Sequence, residues 1–392
     1  MRRTFRLRLK ENPIFSTVHH TLFEYPSPIN LSYAWNFGSL SLVTLVLQII
    51  TGIILAMYYV PHADFAFKSV EYIMREINSG YLLRFLHANG ATMFFIVVYL
   101  HVIRGLYYGS YLYPRQLLWI LGVIIKILMI LTAFLGYVLP WGQMSFWAAT
   151  VITNLVSVIP YFGNTILWWL WGSFNVDHAT LKKFFSFHYL LPFVILFISL
   201  LHIIALHQNG SNNPLGIDIP INATIKFSPY FLIKDYVGII VYLFIYLFLV
   251  FFAPDYAGHP DNYIMANPMV TPAHIVPEWY FLPYYAVLRS IENKLLGVLA
   301  LLFSIIVLCL IPFLNKPIYR SGLFRPGYQI IFWLLLIIIF YLGYIGGCEA
   351  VEPFLIIGKV AMVSYFFMFL LVLPLNTAFE NFLYDKILNL KK

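Results

Sequence analysis

The sequence predicts an all-α polytopic membrane protein. Three observations carry that prediction. Hydrophobic residues make up 61% of the 392-residue chain and charged residues only 10%, where soluble domains run nearer a quarter charged. The charged residues are also segregated, leaving long windows free of Asp, Glu, Lys and Arg. Those windows lack the period-2 alternation of a membrane barrel, and only helices or closed barrels satisfy their backbone in lipid.

Taken in order, the charge-free windows are 36–60, 85–103, 127–176, 184–217, 236–254, 295–315, 326–348 and 360–379. Each is close to or above the roughly 20 apolar residues that cross a bilayer as a helix. They supply spans α1 to α8 in that order, with α3 at the start of 127–176. That window is long enough for two spans, but its second half is broken by Pro160, Gly163 and Gly172, with Pro140 and Gly142 just before it. Counting Lys and Arg on each side decides between eight and nine spans. With eight, the side holding the amino terminus carries 15 and the opposite side 8; with nine the split is 12 to 11. Eight spans are therefore expected, with 144–176 lying along the membrane surface and both termini on the negative side. The Arg-rich start, Met1 to Lys10, resembles a transit peptide in composition but is read as a positive-inside anchor. The net charge of +8 is explained by this topology and does not call for nucleic acid. Two cysteines, Cys309 and Cys348, exclude a disulfide framework, a Cys-ligated cluster and C-x-x-C-H haem attachment.

Chemistry enters with the histidines. Four lie inside predicted spans: His87 and His101 in α2, His188 and His202 in α4. Both pairs are 14 residues apart. Fourteen residues turn a helix to about 40° short of four full turns and advance it about 21 Å. Each helix thus shows two imidazoles on one face, one toward each side of the bilayer. Polar side chains are costly in lipid, and bis-imidazole ligation of haem iron supplies the reason for this pattern. Zinc or copper would need three or four ligands at one depth, and each depth offers two. Gly38 and Gly52 in α1, and Gly122 and Gly136 in α3, repeat the 14-residue interval. Glycine lets a backbone pass close to a flat macrocycle. Two haems in a four-helix bundle α1–α4 are expected. Arg84 and Arg104, each three residues from a histidine on its outer side, are placed to meet propionates.

At this point the sequence resembles a known family. The paired histidines, the four glycines, "LPWGQMSFW" at 139–147, "GSNNP" at 210–214 and "PEWY" at 277–280 are similar to cytochrome b of the respiratory bc1 complex. The resemblance runs from about Tyr33 to Leu375. Equal spacing alone permits His87 to pair with either His188 or His202. One intervening span makes α2 and α4 parallel, as in the family. The resemblance then implies a low-potential haem b on His87/His188 near the positive side and a high-potential haem b on His101/His202 near the negative side. It also implies two domains, a di-haem bundle over 1–217 and a membrane domain over 218–392.

The family oxidises quinol, here ubiquinol, on the positive side and reduces quinone on the negative side. The connection 254–293 is far longer than a usual helix–helix loop and carries the PEWY motif. By resemblance Glu278 handles the quinol proton, with Tyr280 beside it. Phe134, Tyr137, Ala148, Ile152, Pro277, Phe281 and Tyr285 line that pocket, and aromatic, apolar walls suit a quinone ring. On the negative side the resemblance implies His207, Asp235 and Lys234 for proton delivery. Ser211, Trp35, Asn36, Ser39 and Phe227 surround that quinone, and Gln48 belongs to the cofactor-binding set. The mechanism implied is electron bifurcation: one electron goes to an iron–sulfur (Rieske) subunit and on to cytochrome c1, the other crosses the membrane through the two haems. With two cysteines and no motif for those centres, partner subunits are required, in a homodimeric complex. Low charge and high Phe, Tyr and Ile content favour the mitochondrial inner membrane over a bacterial plasma membrane.

Two positions depart from the expected pattern. Ala148 stands where the family usually has glycine after "SFW", a change associated in the family with tolerance of methoxyacrylate-type inhibitors. Lys126 in α3 is costly if it faces lipid, and is expected to snorkel or to reach a partner subunit. Two other classes compete. A different two-haem membrane cytochrome has no use for PEWY or the last four spans, and a haem-free transporter leaves the repeated interval unexplained.

Overall fold

The computed structural model describes residues 12–390; the basic segment Met1 to Lys10 lies outside them. Among the described residues, eight helices are long and apolar enough to cross a membrane. They are α1 (Tyr33–Ala56), α2 (Gly80–Tyr107), α3 (Gln116–Val138), α4 (His178–Asn209), α5 (Tyr230–Phe252), α6 (Lys294–Leu314), α7 (Pro326–Gly347) and α8 (Phe354–Asn389). Most extend past their charge-free windows: Lys182 is exposed at the start of α4, while Arg84 faces the cavity described below and Arg104 packs on Trp35. The last is 36 residues long, well beyond bilayer thickness, and passes through a π turn at Met368–Val372. The segment after α3 forms short helices at Gln143–Asn154 and Gly163–Trp171, neither long enough to span.

One feature departs from the all-helical expectation. Pro26–Pro28 pairs antiparallel with Thr224–Lys226, with Ser27 opposite Ile225. The ribbon ties the segment before α1 to the α4–α5 connection, and Phe227 N–H extends it by donating to Tyr25 O at 2.8 Å.

The packing places α1 on α2, α3 on α4 and α5 across α1 and α2. In that last contact Tyr242 Oη lies 2.7 Å from Thr44 Oγ1. The spans α6 to α8 enclose a second apolar core around Val307, Ile311, Phe332 and Phe369. Trp119 Nε1 donates to Leu308 O at 2.7 Å, joining α3 to α6. Buried charge in the second half is paired: Arg325 Nε donates to Glu380 Oε2 at 2.8 Å and Glu380 Oε1 accepts from Tyr328 N–H at 3.0 Å. A buried ion with hydrogen bonds on both partners avoids the full desolvation penalty of an isolated charge.

At the His87 end, the two connections are zipped together. Gln143 N–H donates to Ile264 O at 2.9 Å and Ala266 N–H to Trp141 O at 3.0 Å. The Gln143 amide donates to Val270 O and accepts from Asn267 N–H, and Ser145 N–H donates to Asn262 Oδ1 at 2.9 Å. The long connection 254–293 is thus folded substructure held on the 139–147 motif, rather than a free loop.

Lys126 neither snorkels nor faces lipid. It is 6% exposed, with Nζ 5.4 Å from the Tyr99 ring centre and 5.5 Å from that of Tyr284.

Candidate functional site: two histidine levels and a cavity

The four-helix packing brings the histidines together in parallel pairs. His87 and His188 have ring centroids 6.2 Å apart, and His101 and His202 6.3 Å. Imidazoles bound through nitrogen to opposite sides of one metal at about 2.0–2.1 Å have centroids about 6 Å apart. Each ring also faces a glycine. A Cβ added to Gly38 would meet His101 Cε1 at 3.5 Å, on Gly52 His87 Cε1 at 3.0 Å, and on Gly122 His202 Cε1 at 3.2 Å. On Gly136 it would overlap His188. The repeated interval therefore maps glycine for histidine at each level, α1 against α2 and α3 against α4.

Hydrogen bonds orient the rings. Thr51 donates its hydroxyl proton to Leu47 O at 2.8 Å, so Oγ1 accepts from His87 Nδ1, 2.9 Å away. His188 Nδ1 donates to Thr132 O at 2.8 Å. Both leave Nε2 free to ligate, the usual arrangement for a metal-bound histidine. Gln48 Nε2 donates to His87 O at 3.0 Å, supporting the backbone behind the ring. Neither threonine is marked by the interval itself; Thr132 is legible only as the residue one turn before Gly136.

The His101 level differs. Arg104 Nη2 lies 3.0 Å from His101 Nδ1, and an arginine only donates, so this contact leaves the ring proton on Nε2. Arg104 Nε is buried without a hydrogen-bond partner, and His202 Nδ1 makes none of standard geometry, with the Leu118 backbone beside it. The guanidinium also sits over Trp35, 5.0 Å from the ring centre. The unpaired Arg104 Nε, the facing glycines and the imidazole spacing fit a planar anionic macrocycle, whose acid groups would draw Arg104 off the ring.

A cavity of about 310 Å³ joins the His87/His188 level to the PEWY segment. Gly52, Arg84, Gly136, His87 and His188 form one part of its wall, and Tyr137, Pro140, Asn262, Glu278 and Tyr280 another. Burial pushes the Glu278 carboxyl up to about 7, against the opposing pull of Tyr137 and Arg84. The Tyr137 hydroxyl lies near that carboxyl without a hydrogen bond of standard geometry. Tyr280 stacks on Phe95 at 4.0 Å, and burial holds its phenol well above the usual range. Its carbonyl accepts from Tyr99 Oη at 2.6 Å.

The remaining residues expected on that side stand behind or beside the wall. Phe134 packs against Phe184, Phe281 against Phe95 and Tyr280, and Tyr285 lies under Arg289. Ala148 is 6% exposed in the short helix Gln143–Asn154, which also carries Ile152. Pro277 directly precedes Glu278. The cavity residues Asn262, His259 and Tyr263 carried no sequence signal beyond lying in an unusually long connection.

At the opposite end the expected polar residues gather around the ribbon. His207 stacks on Tyr25 at 4.3 Å, and Asp235 lies against the Ser39 hydroxyl and Lys234. Buried Asn36 donates to Lys234 O at 2.9 Å. Lys234 Nζ donates to Leu31 O at 2.6 Å over the Tyr33 ring. Arg115 Nε donates to Gly210 O at 2.8 Å, fixing the turn that carries Ser211. Tyr25, which packs on His207, lies before the first span and was not legible as a site residue.

Eight spans, two facing histidine pairs at two levels and a cavity beside Glu278 define a helical membrane protein of the b-type cytochrome class. Residues 22–210 match the family described as Cytochrome b/b6/petB, and residues 265–366 that described as Cytochrome b(C-terminal)/b6/petD. Cytochrome b of Chondrus crispus is 55% identical over 379 residues, covering 97% of this chain and 99% of the relative. Cytochrome b of Marchantia polymorpha is 59% identical over 365 residues (93% and 90%), and that of Rickettsia bellii (strain RML369-C) 57% over 370 (94% and 92%). A solved structure described as a hyperthermophilic respiratory Complex III superposes with a TM-score of 0.90 at 35% identity, covering 95% of this chain and 98% of that one. The chain belongs to the cytochrome b family, a family of multi-pass membrane proteins that bind haem b.

Proposed function

We propose that this chain is the di-haem subunit of a quinol:cytochrome c oxidoreductase, with its haems held by His87/His188 and His101/His202. The function follows from the family and the Complex III likeness. The observation supporting the ligand assignment is the pair of imidazole separations, 6.2 and 6.3 Å, each ring backed by a glycine. When bound, the two haems supply a one-electron path between the two depths.

The chain's own residues do the rest. Thr51 and Thr132 O hold Nδ1 of His87 and His188 so that Nε2 points inward. Arg84 and Arg104 stand at the outer ends to neutralise acid groups. The cavity beside Glu278 takes the quinol ring, and Glu278, poised near neutrality by burial, accepts its hydroxyl proton and passes it to water. At the far side His207, Asp235 and Lys234 deliver protons to reduced ubiquinone, within a frame of Trp35, Asn36, Ser39, Ser211 and Phe227. The division at 217/218 separates a haem-holding half from a half that supplies the PEWY wall. Electrons leaving the cavity require a Rieske-type iron–sulfur subunit and cytochrome c1, in a complex that is a homodimer in the mitochondrial inner membrane. Both termini face the negative side, by the lysine and arginine count.

The test is a redox-titrated, reduced-minus-oxidised spectrum of the purified complex with His87→Leu and His202→Leu beside it. Two b-type components are expected, each variant losing chiefly one. A folded protein without haem absorbance would refute the reading.

A further inference from the structure

Lys126 has no part in the chemistry described so far. It is a cation 6% exposed in the middle of a predicted span, where a charge needs a reason. Among the described residues no carboxylate oxygen lies within 4 Å of its ammonium. Its neighbours are instead two tyrosine faces, Tyr99 of α2 at 5.4 Å and Tyr284 of the short helix after PEWY at 5.5 Å. Tyr99 is anchored by its hydrogen bond to Tyr280 O. Attraction between a cation and an aromatic face is stronger where water is excluded.

The register locates that charge. On α3, Lys126 follows Gly122, which faces His202, by four residues and precedes Gly136, which faces His188, by ten. Those intervals are about 6 Å and 15 Å of helix rise, the shorter with a rotation of only about 40°. On α2, Tyr99 lies two residues inward of His101. By rise along both helices the ammonium thus lies nearer the His101/His202 level than the His87/His188 level. Reducing a ferric haem adds one electron and lowers the charge of the site by one, so a nearby fixed cation favours the reduced form. In this interior the effect is little screened by salt.

We infer that Lys126 is an electrostatic tuning residue that raises the reduction potential of the His101/His202 haem relative to the His87/His188 haem, steepening the path between them. The inference rests on the two-haem reading above. A unit charge on the order of 10 Å away at an effective dielectric of about 20 shifts a reduced-to-oxidised ratio on the order of tenfold.

The experiment is a redox titration of both b-type components in the intact complex, for the wild type, Lys126→Met, Lys126→Gln and Lys126→Arg. The component that His202→Leu removes is expected to titrate lower in Lys126→Met and Lys126→Gln. At a fixed ambient potential its reduced-to-oxidised ratio drops about tenfold, or ~59 mV for a one-electron couple. The other component moves much less, and Lys126→Arg stays within about twofold of the wild type. Two b components at unchanged potentials in the uncharged variants would overturn the inference and leave the haem reading standing. So would equal shifts of both components, or an Arg variant that titrates like the Met variant. Failure of both uncharged variants to assemble while Lys126→Arg assembles would assign Lys126 to packing and also overturn it. A wild type with no b-type spectrum is a different result, which removes the haem reading itself.

Discussion

Alanine placed at each of the four histidine-facing glycines gives a graded test of the site. Carbon atoms in ordinary contact sit about 3.5–4.0 Å apart. The new methyl at Gly38 would meet His101 at 3.5 Å, which needs no adjustment. At Gly122 the contact with His202 is 3.2 Å, and at Gly52 that with His87 is 3.0 Å. At Gly136 the methyl overlaps His188, with Nδ1 at 2.9 Å and Nε2 at 3.0 Å as well. The ring cannot retreat freely, because Nδ1 is tied to Thr132 O at 2.8 Å, as His87 is tied to Thr51 at 2.9 Å. Restoring contact at Gly52 needs a shift of about 0.5 Å, and Gly136 needs more. Overpacking of this size costs about 1–3 kcal/mol, or roughly five- to 150-fold in haem retention if the strain falls on the ligand. The expected order of haem loss is Gly136→Ala, then Gly52→Ala, then Gly122→Ala, with Gly38→Ala near the wild type. Haem per folded protein, measured from the reduced-minus-oxidised spectrum with helicity as control, reads this out by component. Gly136→Ala and Gly52→Ala should deplete the component that His87→Leu removes, and Gly122→Ala the other. Full haem content in Gly136→Ala, or equal loss from all four, would refute the assignment of each glycine to one histidine.

Other outcomes are expected from the same structure. Quinol oxidation should rise with pH through about 7 as Glu278 ionises, and Glu278→Gln should lower the rate and flatten that rise; an unchanged profile would remove Glu278 from proton handling. For stability the sign is opposite: its folded value lies above the unfolded one, so its contribution is full at low pH and lost as pH rises through about 7. Glu380→Leu strands the buried Arg325 cation and should cost about 3–5 kcal/mol in thermal or detergent unfolding, with Arg325→Met/Glu380→Leu milder than the single change; a milder single variant would contradict the pairing argument. A dose–response series should show weak inhibition by methoxyacrylate-type compounds with quinol still oxidised, and restored sensitivity in Ala148→Gly. Ordinary sensitivity that Ala148→Gly does not increase would sink that expectation.

Periodicity and charge segregation depend on local chain geometry, so they were legible before any packing was known. The eight spans, the lack of a ninth in 144–176 and the two histidine levels all follow from lengths and intervals that a helix converts into rotation and rise. Three kinds of feature were not legible. Partners distant in sequence, such as Thr132 for His188, Tyr25 for His207 and Asn262 for Ser145, depend on which helices meet. The Pro26–Pro28 ribbon pairs segments about 200 residues apart and is too short to leave an alternation. The wall of the cavity also differs in membership from the motif set: Tyr137, Glu278 and Tyr280 reach it, while Phe134 and Phe281 support neighbouring rings.

Lys126 shows the division most plainly. Sequence alone established that a lysine sits in an apolar span and must be costly there, because desolvation depends only on being in the membrane. What resolves that cost is two tyrosine faces, one from another span and one from a helix more than 150 residues downstream. No local pattern encodes such a meeting. The chain by itself determined where helices, histidines and glycines recur, since those are properties of one helix at a time. Only the tertiary structure decided which ring faces which glycine, which nitrogen is left free and where an intramembrane charge finds its partners, since those are properties of helices in contact.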